Sequence, residues 1–78
     1  MSMSAYILIQ TEVGRAAEVA EQIRVIPGVT NADVLTSPYD VIAVTEASNV
    51  DELGQLVISK IQLIPGITRT TTCPVVNI

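Results

Sequence analysis

The stretch TSPYDVIAVTE, residues 36–46, decides how this chain folds. Its Ser37-Pro38 pair disfavours helix and favours a turn, because proline fixes φ near a value that turns use. A run rich in Val and Ile follows at once, which is typical of a β-strand. We therefore expect a hairpin, in which a strand at residues 39–45 runs antiparallel to a strand at residues 29–36.

The two halves of the chain on either side of this turn resemble each other. The sequence IPGV at residues 26–29 recurs as IPGI at residues 64–67, and Thr-Glu at residues 11–12 recurs at residues 45–46. Each half has the order strand, helix, strand. The first strand of the chain is predicted at residues 5–11 and the last at residues 68–78. Right-handed crossovers place both helices on one face of the sheet. The sequence thus predicts an α+β fold, the ferredoxin-like βαββαβ sandwich with four antiparallel strands.

The helices are predicted from apolar residues that recur every three or four positions. The first helix is expected to open at Thr11, as a cap, and to end before Pro27. In the second helix Asn49 and Glu52 have capping-box spacing, and Gly54 indicates close packing against a neighbour. The predicted apolar stripes are Val13, Ala16, Ala17, Ala20 and Ile23 in the first helix, and Leu53, Leu56, Val57, Ile61 and Ile64 in the second.

Composition predicts that the sheet has a second apolar face. The 78 residues form one domain, residues 1–78, yet 49% of them are apolar and only 15% are charged. Residues 7–9 and 41–44 are consecutive apolar positions, whereas a sheet with one face in water alternates. No further segment is left to cover that face, so we predict a homodimer with a shared β-core, a dimeric α+β barrel. Pro74 in the last strand predicts a sheet edge or a bulge.

Several classes of function are disfavoured by composition. The net charge is −4 and the four basic residues are scattered, which argues against direct nucleic-acid binding. Without His and with Cys73 as the one cysteine, neither a metal centre nor an internal disulfide is expected, and no cofactor is predicted. No signal peptide is recognised and no apolar run approaches the roughly 18 residues of a membrane span, so a cytoplasmic protein is expected. Asp40 and Glu46 are about 20 Å apart along one strand, too far for paired catalytic carboxylates.

Two polar groupings are candidates for a binding site. One is Ser37-Pro38-Tyr39-Asp40 at the central turn, and the other is the run Thr68-Arg69-Thr70-Thr71-Thr72. Asp40 can accept hydrogen bonds from an ammonium group, while Thr70 and Thr72 share one strand face. Simpler interpretations exist, since Thr favours strands and an Asp after a turn commonly caps local backbone. The residues alone leave function open between these interpretations.

These motifs together resemble a known family. The chain resembles the effector-binding (RAM) domain of the Lrp/AsnC feast/famine regulators. The motifs that carry the resemblance are the turn Ser37-Pro38-Tyr39-Asp40 before Val41–Val44, the helix start Asp51-Glu52-Leu53 and the ending at residues 64–72. The family patterns are Gly-x-aromatic-Asp at the turn and helix-Gly-Val-x-x-Thr-x-Thr at the end. The similarity extends over essentially the whole chain.

The resemblance implies a fold and a function. It implies an αβ sandwich that dimerises through its sheet, dimers that assemble into octamers or similar rings, and a free amino acid bound in the cleft between dimers. It also implies a chain without the helix-turn-helix, able to co-assemble with full-length regulators. Ser37 replaces the family's turn glycine, and this departure is expected either to narrow the choice of ligand or to abolish binding. The residues implicated in binding are Ser37, Tyr39, Asp40, Thr70 and Thr72.

Three hypotheses for function follow. The first is an amino-acid-sensing module in transcriptional or metabolic regulation. The second is a ligand-free structural partner that occupies positions in mixed oligomers. The third is a small enzyme on the related dimeric α+β barrel, which the lack of His and the scarcity of aromatic residues disfavour.

Overall fold

A computed structural model of the protein describes residues 2–36 and 38–76. It contains four strands and two helices in the order β1, α1, β2, β3, α2, β4, which confirms the predicted βαββαβ sandwich. The second helix continues directly into a π-helical segment, Val57–Ile61. The elements are β1 Met3–Thr11, α1 Ala16–Arg24, β2 Val29–Val34, β3 Val41–Ala47, α2 Val50–Leu56 and β4 Ile67–Pro74.

The strands form one antiparallel sheet in the order β2-β3-β1-β4. In the centre Ile7 pairs with Ala43 of β3 and with Thr72 of β4, so these three residues share one face. Strand β4 lies at an edge of the sheet, as Pro74 predicted. The register of β4 shifts between Gln10 and Thr11, where β1 ends.

Both helices pack on the face that carries the odd-numbered residues of β1 and β3. On this helix-covered face Ile7, Ile9, Val41, Ala43 and Thr45 are completely buried. The hydroxyl of Thr45 donates a hydrogen bond to the Ala5 carbonyl at 3.1 Å, so the one buried polar side chain of this core is satisfied. The helices contribute Val19, Ala20, Ile23, Leu53, Leu56, Val57 and Ile61 to the same core.

The two Pro-Gly turns have equivalent geometry, as the sequence repeat predicted. Gly28 and Gly66 have φ values of +98° and +99°, a conformation that glycine adopts without strain. The Gly28 carbonyl accepts a hydrogen bond from the Glu46 amide and the Gly66 carbonyl from the Glu12 amide, each at 2.8 Å. Each half of the chain therefore joins its turn to the strand end of the other half, and the fold has an approximate internal twofold symmetry.

The first helix differs from its prediction. Thr11 remains in β1, and α1 begins only at Ala16, after Gly14 has turned the chain with φ +81°. Val13 therefore lies outside the helix and is fully exposed, and Ala17 is exposed as well. Val19 occupies the buried position instead. The later start shifts which residues face the sheet.

The second helix follows its prediction closely at its start and less so beyond it. The Asn49 side chain accepts a hydrogen bond from the Glu52 amide at 2.8 Å, and Glu52 accepts one from the Ser48 amide at 3.0 Å. This is the predicted capping box, except that the return bond to Glu52 comes from the Ser48 amide, one residue before the N-cap Asn49. A Cβ added to Gly54 would meet nothing within 4 Å, so close packing does not explain that glycine within one chain.

The strand boundaries differ by a few residues from the predicted ones. Strand β3 begins at Val41 rather than at residue 39, which leaves Tyr39 and Asp40 in the connection from β2. Strand β2 ends at Val34 rather than at residue 36. Strand β4 ends at Pro74, and the last two residues of the predicted strand, 77 and 78, lie outside the described residues.

Candidate functional site

Asp40 connects three parts of the structure at the end of the sheet. Its amide donates to the Ile9 carbonyl at 2.9 Å, and its carbonyl accepts from the Leu35 amide at 2.8 Å. Its Oδ2 accepts a hydrogen bond from the Thr11 amide at 2.8 Å, although the two residues are 29 positions apart. The carboxylate is thus no local cap. It holds the end of β1 against the turn, and Oδ1 makes no further hydrogen bond among the described residues.

The other predicted turn residues lie beside Asp40. Tyr39 is half-buried in the connection between β2 and β3, next to the exposed Pro38. Ser37, which the sequence also implicated, lies outside the described residues. The turn therefore presents one half-buried aromatic ring and one half-buried carboxylate at the same end of the sheet.

The threonine-rich strand lies on the other side of β1. Thr70 pairs with Ile9 and Thr72 with Ile7, so the two threonines share one strand face, as predicted, and it is the helix-covered face. The Thr70 hydroxyl accepts a hydrogen bond from the Gln62 side chain at 2.9 Å. Residues around Thr70 line an open pocket of about 300 Å³, which Thr72 does not reach: Gln62, Ile67, Thr68, Arg69 and Thr70.

Gln62 and Arg69 are pocket residues that the sequence did not single out. Gln62 follows the π-helical segment, and Arg69 is an exposed residue within the run of threonines. The wider π-helical turn has no signature in this sequence, so the orientation of Gln62 toward Thr70 could not be predicted. Arg69 belongs to the predicted polar run, but the sequence assigned no binding role to it.

The two predicted groupings do not form one pocket within a single chain. Ile9 pairs with Val41 on one side and with Thr70 on the other, so β1 separates Asp40 from the threonines. Two strand spacings correspond to about 10 Å between their backbones. The pocket beside Thr70 is lined by neither Tyr39 nor Asp40. One chain therefore presents two partial polar surfaces at one end of its sheet.

The sheet face opposite the helices carries apolar side chains with nothing packed on it among the described residues. On the central strands this open sheet face carries Leu8, Ile42 and Val44, which are half-buried, and Tyr6, which is 45% exposed. Cys73 pairs with Tyr6 and Thr71 with Leu8, so β4 extends the same surface. The prediction that apolar residues occupy both faces of the sheet is confirmed.

A second and larger cavity lies at the opposite end of the sheet. It has a volume of about 390 Å³ and lies between the first Pro-Gly turn and the outer side of α2 and the π-helical segment. No sequence motif predicted it. Its lining residues are Pro27, Gly28, Glu46, Ala47, Glu52, Gln55, Leu56, Ser59 and Lys60.

Comparison with known proteins places this arrangement in a family. Residues 4–78 match the family of the Lrp/AsnC ligand binding domain. The chain belongs to the Lrp/AsnC family. An uncharacterized HTH-type transcriptional regulator of Pyrococcus furiosus is 40% identical over 55 residues, which are 70% of this chain and 37% of that protein. This Lrp/AsnC domain thus matches well under half the length of that regulator.

Solved structures show the same fold. The protein TTHA0845 of Thermus thermophilus has a TM-score of 0.91 at 29% identity, with 97% of this chain and 95% of that chain covered. A transcriptional regulator of Neisseria meningitidis in complex with L-Met has a TM-score of 0.84 at 18% identity, covering 96% of this chain and 50% of that one. The second likeness shows a shared fold only.

Two further properties concern the described residues. Neither helix is long and apolar enough to cross a membrane. No group of three or more His, Cys, Asp or Glu side chains is placed to hold a metal ion in the part of the chain that the structure describes.

The Lrp/AsnC family and its HTH-type relatives indicate a regulatory, ligand-binding domain.

Proposed function

We propose that this Lrp/AsnC domain senses a free amino acid and couples its binding to the assembly of a transcription regulator. The proposal extends the family's ligand-binding role to a ligand class, a site and a partner. Its DNA-binding counterpart is an HTH-bearing regulator of the same family, with which the domain assembles. The site combines the turn residues Ser37, Tyr39 and Asp40 with Thr70 and Thr72.

The division of the polar end of the sheet by β1 is the observation that carries this proposal. Asp40 and Thr70 lie at the same end of the sheet but on opposite sides of β1, in two incomplete surfaces. A second copy that presents its turn to the threonine strand of the first would complete a cleft. A ligand in that cleft binds both copies at once, so its binding energy favours the assembled state.

The charges of the two surfaces suit an amino acid. Asp40 Oδ1 has no other hydrogen bond among the described residues and can accept one from an ammonium group. Arg69, with the polar side chains of Gln62 and Thr70, lines the pocket on the other side and can donate to a carboxylate. Tyr39 can cover an apolar side chain. The Neisseria regulator, which shares this fold over half of its chain, forms a complex with one amino acid, L-Met.

Assembly through the open sheet face supplies the first step. Leu8, Ile42 and Val44 are apolar and only half-buried in one chain, and a second sheet packed face to face would bury them. The resulting homodimer is a dimeric α+β barrel, and dimers assemble further into an octamer or a similar ring. The amino-acid cleft lies between dimers of that ring.

A structural role without ligand is the second candidate. It is favoured by the hydrogen bond from the Thr11 amide to Asp40 Oδ2, because that bond gives the carboxylate a task in the fold alone. In that case the domain fills positions in mixed oligomers with full-length regulators. Pull-down of an HTH-bearing homologue, with assembly that amino acids leave unchanged, is the expected result for this role.

Isothermal titration with each common amino acid tests the sensing role, after light scattering has confirmed that the protein is assembled. We expect at least one amino acid to bind, and Asp40→Asn to weaken it more than tenfold, since the ammonium loses its charged partner. Asparagine keeps an oxygen for the Thr11 amide, so the fold persists. Asp51→Asn, an exposed carboxylate at the start of α2, is the matched control. Absence of binding by every amino acid to the assembled wild type contradicts the sensing role.

A further inference from the structure

The internal twofold symmetry relates two corners, and only one of them is filled. A corner consists of a Pro-Gly turn, the strand end that bonds to it and the first turn of the following helix. The first corner contains Gly66, Glu12 and α1, and the second contains Gly28, Glu46 and α2. The equivalent hydrogen bonds from Glu12 and Glu46, both at 2.8 Å, establish the correspondence.

An arginine fills the first corner. A Cβ placed on Gly66 would lie 3.3 Å from Arg15 Cβ and 3.5 Å from Arg15 Cζ, so the side chain lies across the turn. Its guanidinium group reaches Glu18 at 3.1 Å and Glu12 at 3.7 Å. The side chain of Arg15 is 35% exposed, against 60% for Glu12 and 56% for Glu18. The Arg15 side chain is therefore the most shielded of the three.

The second corner keeps the two carboxylates and lacks the arginine. Glu46 and Glu52 occupy the sequence positions that correspond to Glu12 and Glu18, three residues on either side of the N-cap residue that precedes the helix. That residue is Arg15 in the first corner and Asn49 in the second, and the short Asn49 side chain bonds to the Glu52 amide. The nearest atoms to a Cβ on Gly28 are Leu56 Cδ2 at 3.3 Å and Glu46 O at 3.5 Å, with no cation among them.

The second corner is also the site of the cavity of about 390 Å³. A volume of this size lies within the range of roughly 300–1,000 Å³ that small-molecule sites occupy. The π-helical segment follows α2 directly and contributes Ser59 and Lys60, which have no helical counterparts in the first corner because α1 ends at Arg24. The cavity thus combines an apolar floor at Leu56 with two carboxylates and one ammonium group.

We propose that this cavity binds the guanidinium group of a free small molecule, in the position that Arg15 occupies in the first corner. Glu46 and Glu52 accept its hydrogen bonds, in the places from which Glu18 accepts one from Arg15 at 3.1 Å and Glu12 pairs with Arg15 at 3.7 Å. Glu52 does so beside the hydrogen bond that its Oε1 accepts from the Ser48 amide at 3.0 Å. Lys60 carries the single positive charge among the described lining residues and pairs with an anionic group at the other end of the ligand. The ligand class is therefore a guanidinium compound with a carboxylate, for which L-arginine is the probe.

This site is separate from the one proposed for the amino-acid effector. Strand β1 pairs with Glu46 at Ser4, near its start, and with Thr70 at Ile9, near its end. Asp40→Asn is therefore expected to leave arginine binding at the second corner intact. If Asp40→Asn abolishes arginine binding while Glu46→Gln does not, the ligand binds at the effector cleft and the second-corner site is refuted.

Titration calorimetry of L-arginine against matched variants tests the proposal. We expect Glu46→Gln to weaken binding about tenfold, because a charged hydrogen bond is lost, and Glu12→Gln to leave it unchanged. Arg15→Asn, which empties the first corner, is expected to raise the number of sites toward two per chain. Equal effects of Glu46→Gln and Glu12→Gln, or no binding up to about 10 mM, overturn the proposal.

Two further probes distinguish a free metabolite from the arginine of a protein partner. N-acetyl-arginine methylamide has the guanidinium group without the carboxylate, and agmatine replaces the carboxylate end by hydrogen. We expect L-arginine to bind more tightly than either, and Lys60→Met to remove this preference. If wild type binds N-acetyl-arginine methylamide as tightly as L-arginine, the free small molecule is refuted as the ligand. The guanidinium site then binds an arginine side chain of a protein.

Discussion

The two faces of the sheet use similar residues but are packed differently. On β1 and β3 the helix-covered face has Ile7, Ile9 and Val41 at zero exposure, whereas Leu8 and Ile42 on the open sheet face are only half-buried. Both faces are apolar because residues 7–9 and 41–44 are consecutive apolar positions. One chain therefore completes the core under its helices by itself, and it leaves an apolar sheet face that a second copy covers in the dimer we propose.

Removing side-chain volume from the helix-covered face should have the largest effect. Ile7→Ala leaves a cavity in a fully buried position and is expected to lower the free energy of unfolding by about 2–5 kcal/mol. Urea denaturation followed by circular dichroism measures the loss. The neighbouring Leu8→Ala is the control, and its loss relative to wild type should grow as protein concentration rises, because the proposed second copy covers Leu8 only in the assembled state. A loss for Ile7→Ala that depends on concentration in the same way would remove the distinction between the faces.

Placing a charge on the open sheet face should break the assembly. Ile42→Asp buries an unpaired carboxylate in the proposed dimer, at a cost of about 3 kcal/mol, or roughly 100-fold in Kd. Size-exclusion chromatography with light scattering measures the mass. Ile58→Asp introduces the same charge at a position that is 64% exposed on the π-helical segment, and should keep the assembly. An unchanged mass for Ile42→Asp shows that the open sheet face is not the interface.

A smaller effect is expected from the buried hydroxyl on the helix-covered face. Thr45→Val removes the hydrogen bond to the Ala5 carbonyl and should cost about 1 kcal/mol in unfolding free energy. Thr30→Val removes a bond of the same length, 3.1 Å to the Val44 carbonyl, at an exposed position. Because water replaces the exposed bond, Thr30→Val should cost less. Thermal and urea unfolding of both variants compare the two, and the reverse order would contradict the assignment of the core.

The smallest effect is expected at Gly54 in α2. Gly54→Ala adds a Cβ that meets nothing within 4 Å, and alanine favours helix, so stability should rise by about 0.5–1 kcal/mol. Unfolding in urea measures the gain in the assembled protein. If Gly54→Ala destabilises or lowers the mass of the assembly, this side of the helix packs on another subunit, which is the reason for glycine that the sequence suggested.

Much of the fold was predictable because it depends on local signals that occur twice. The two Pro-Gly turns, the Asn49 cap and the apolar run of each strand each identify one element, and the repeat fixes their order. The buried face of α1 was not predictable, because Gly14 delays the helix start and exchanges Val13 for Val19. The π-helical segment leaves no signal in the residue pattern.

Sequence motifs suggested residues for the candidate site but not the geometry in which the fold places them. The sequence identified Asp40 and Thr70, but their placement on opposite sides of β1 depends on strand order and register. The bond from Thr11 to Asp40 joins residues 29 positions apart, a contact that spacing cannot suggest. The 390 Å³ cavity has no sequence motif, and the lack of an arginine beside it is recognised only when the two corners are compared through their equivalent hydrogen bonds.

Sedimentation velocity of the wild-type protein tests the central claim most directly. Because a second copy covers the open sheet face, we expect the chain to sediment at micromolar concentration as a dimer or a larger closed assembly. We expect Ile42→Asp to sediment as the 8.3 kDa monomer. A wild-type protein that stays monomeric and folded at the same concentration would contradict both the shared β-core and the amino-acid cleft built on it.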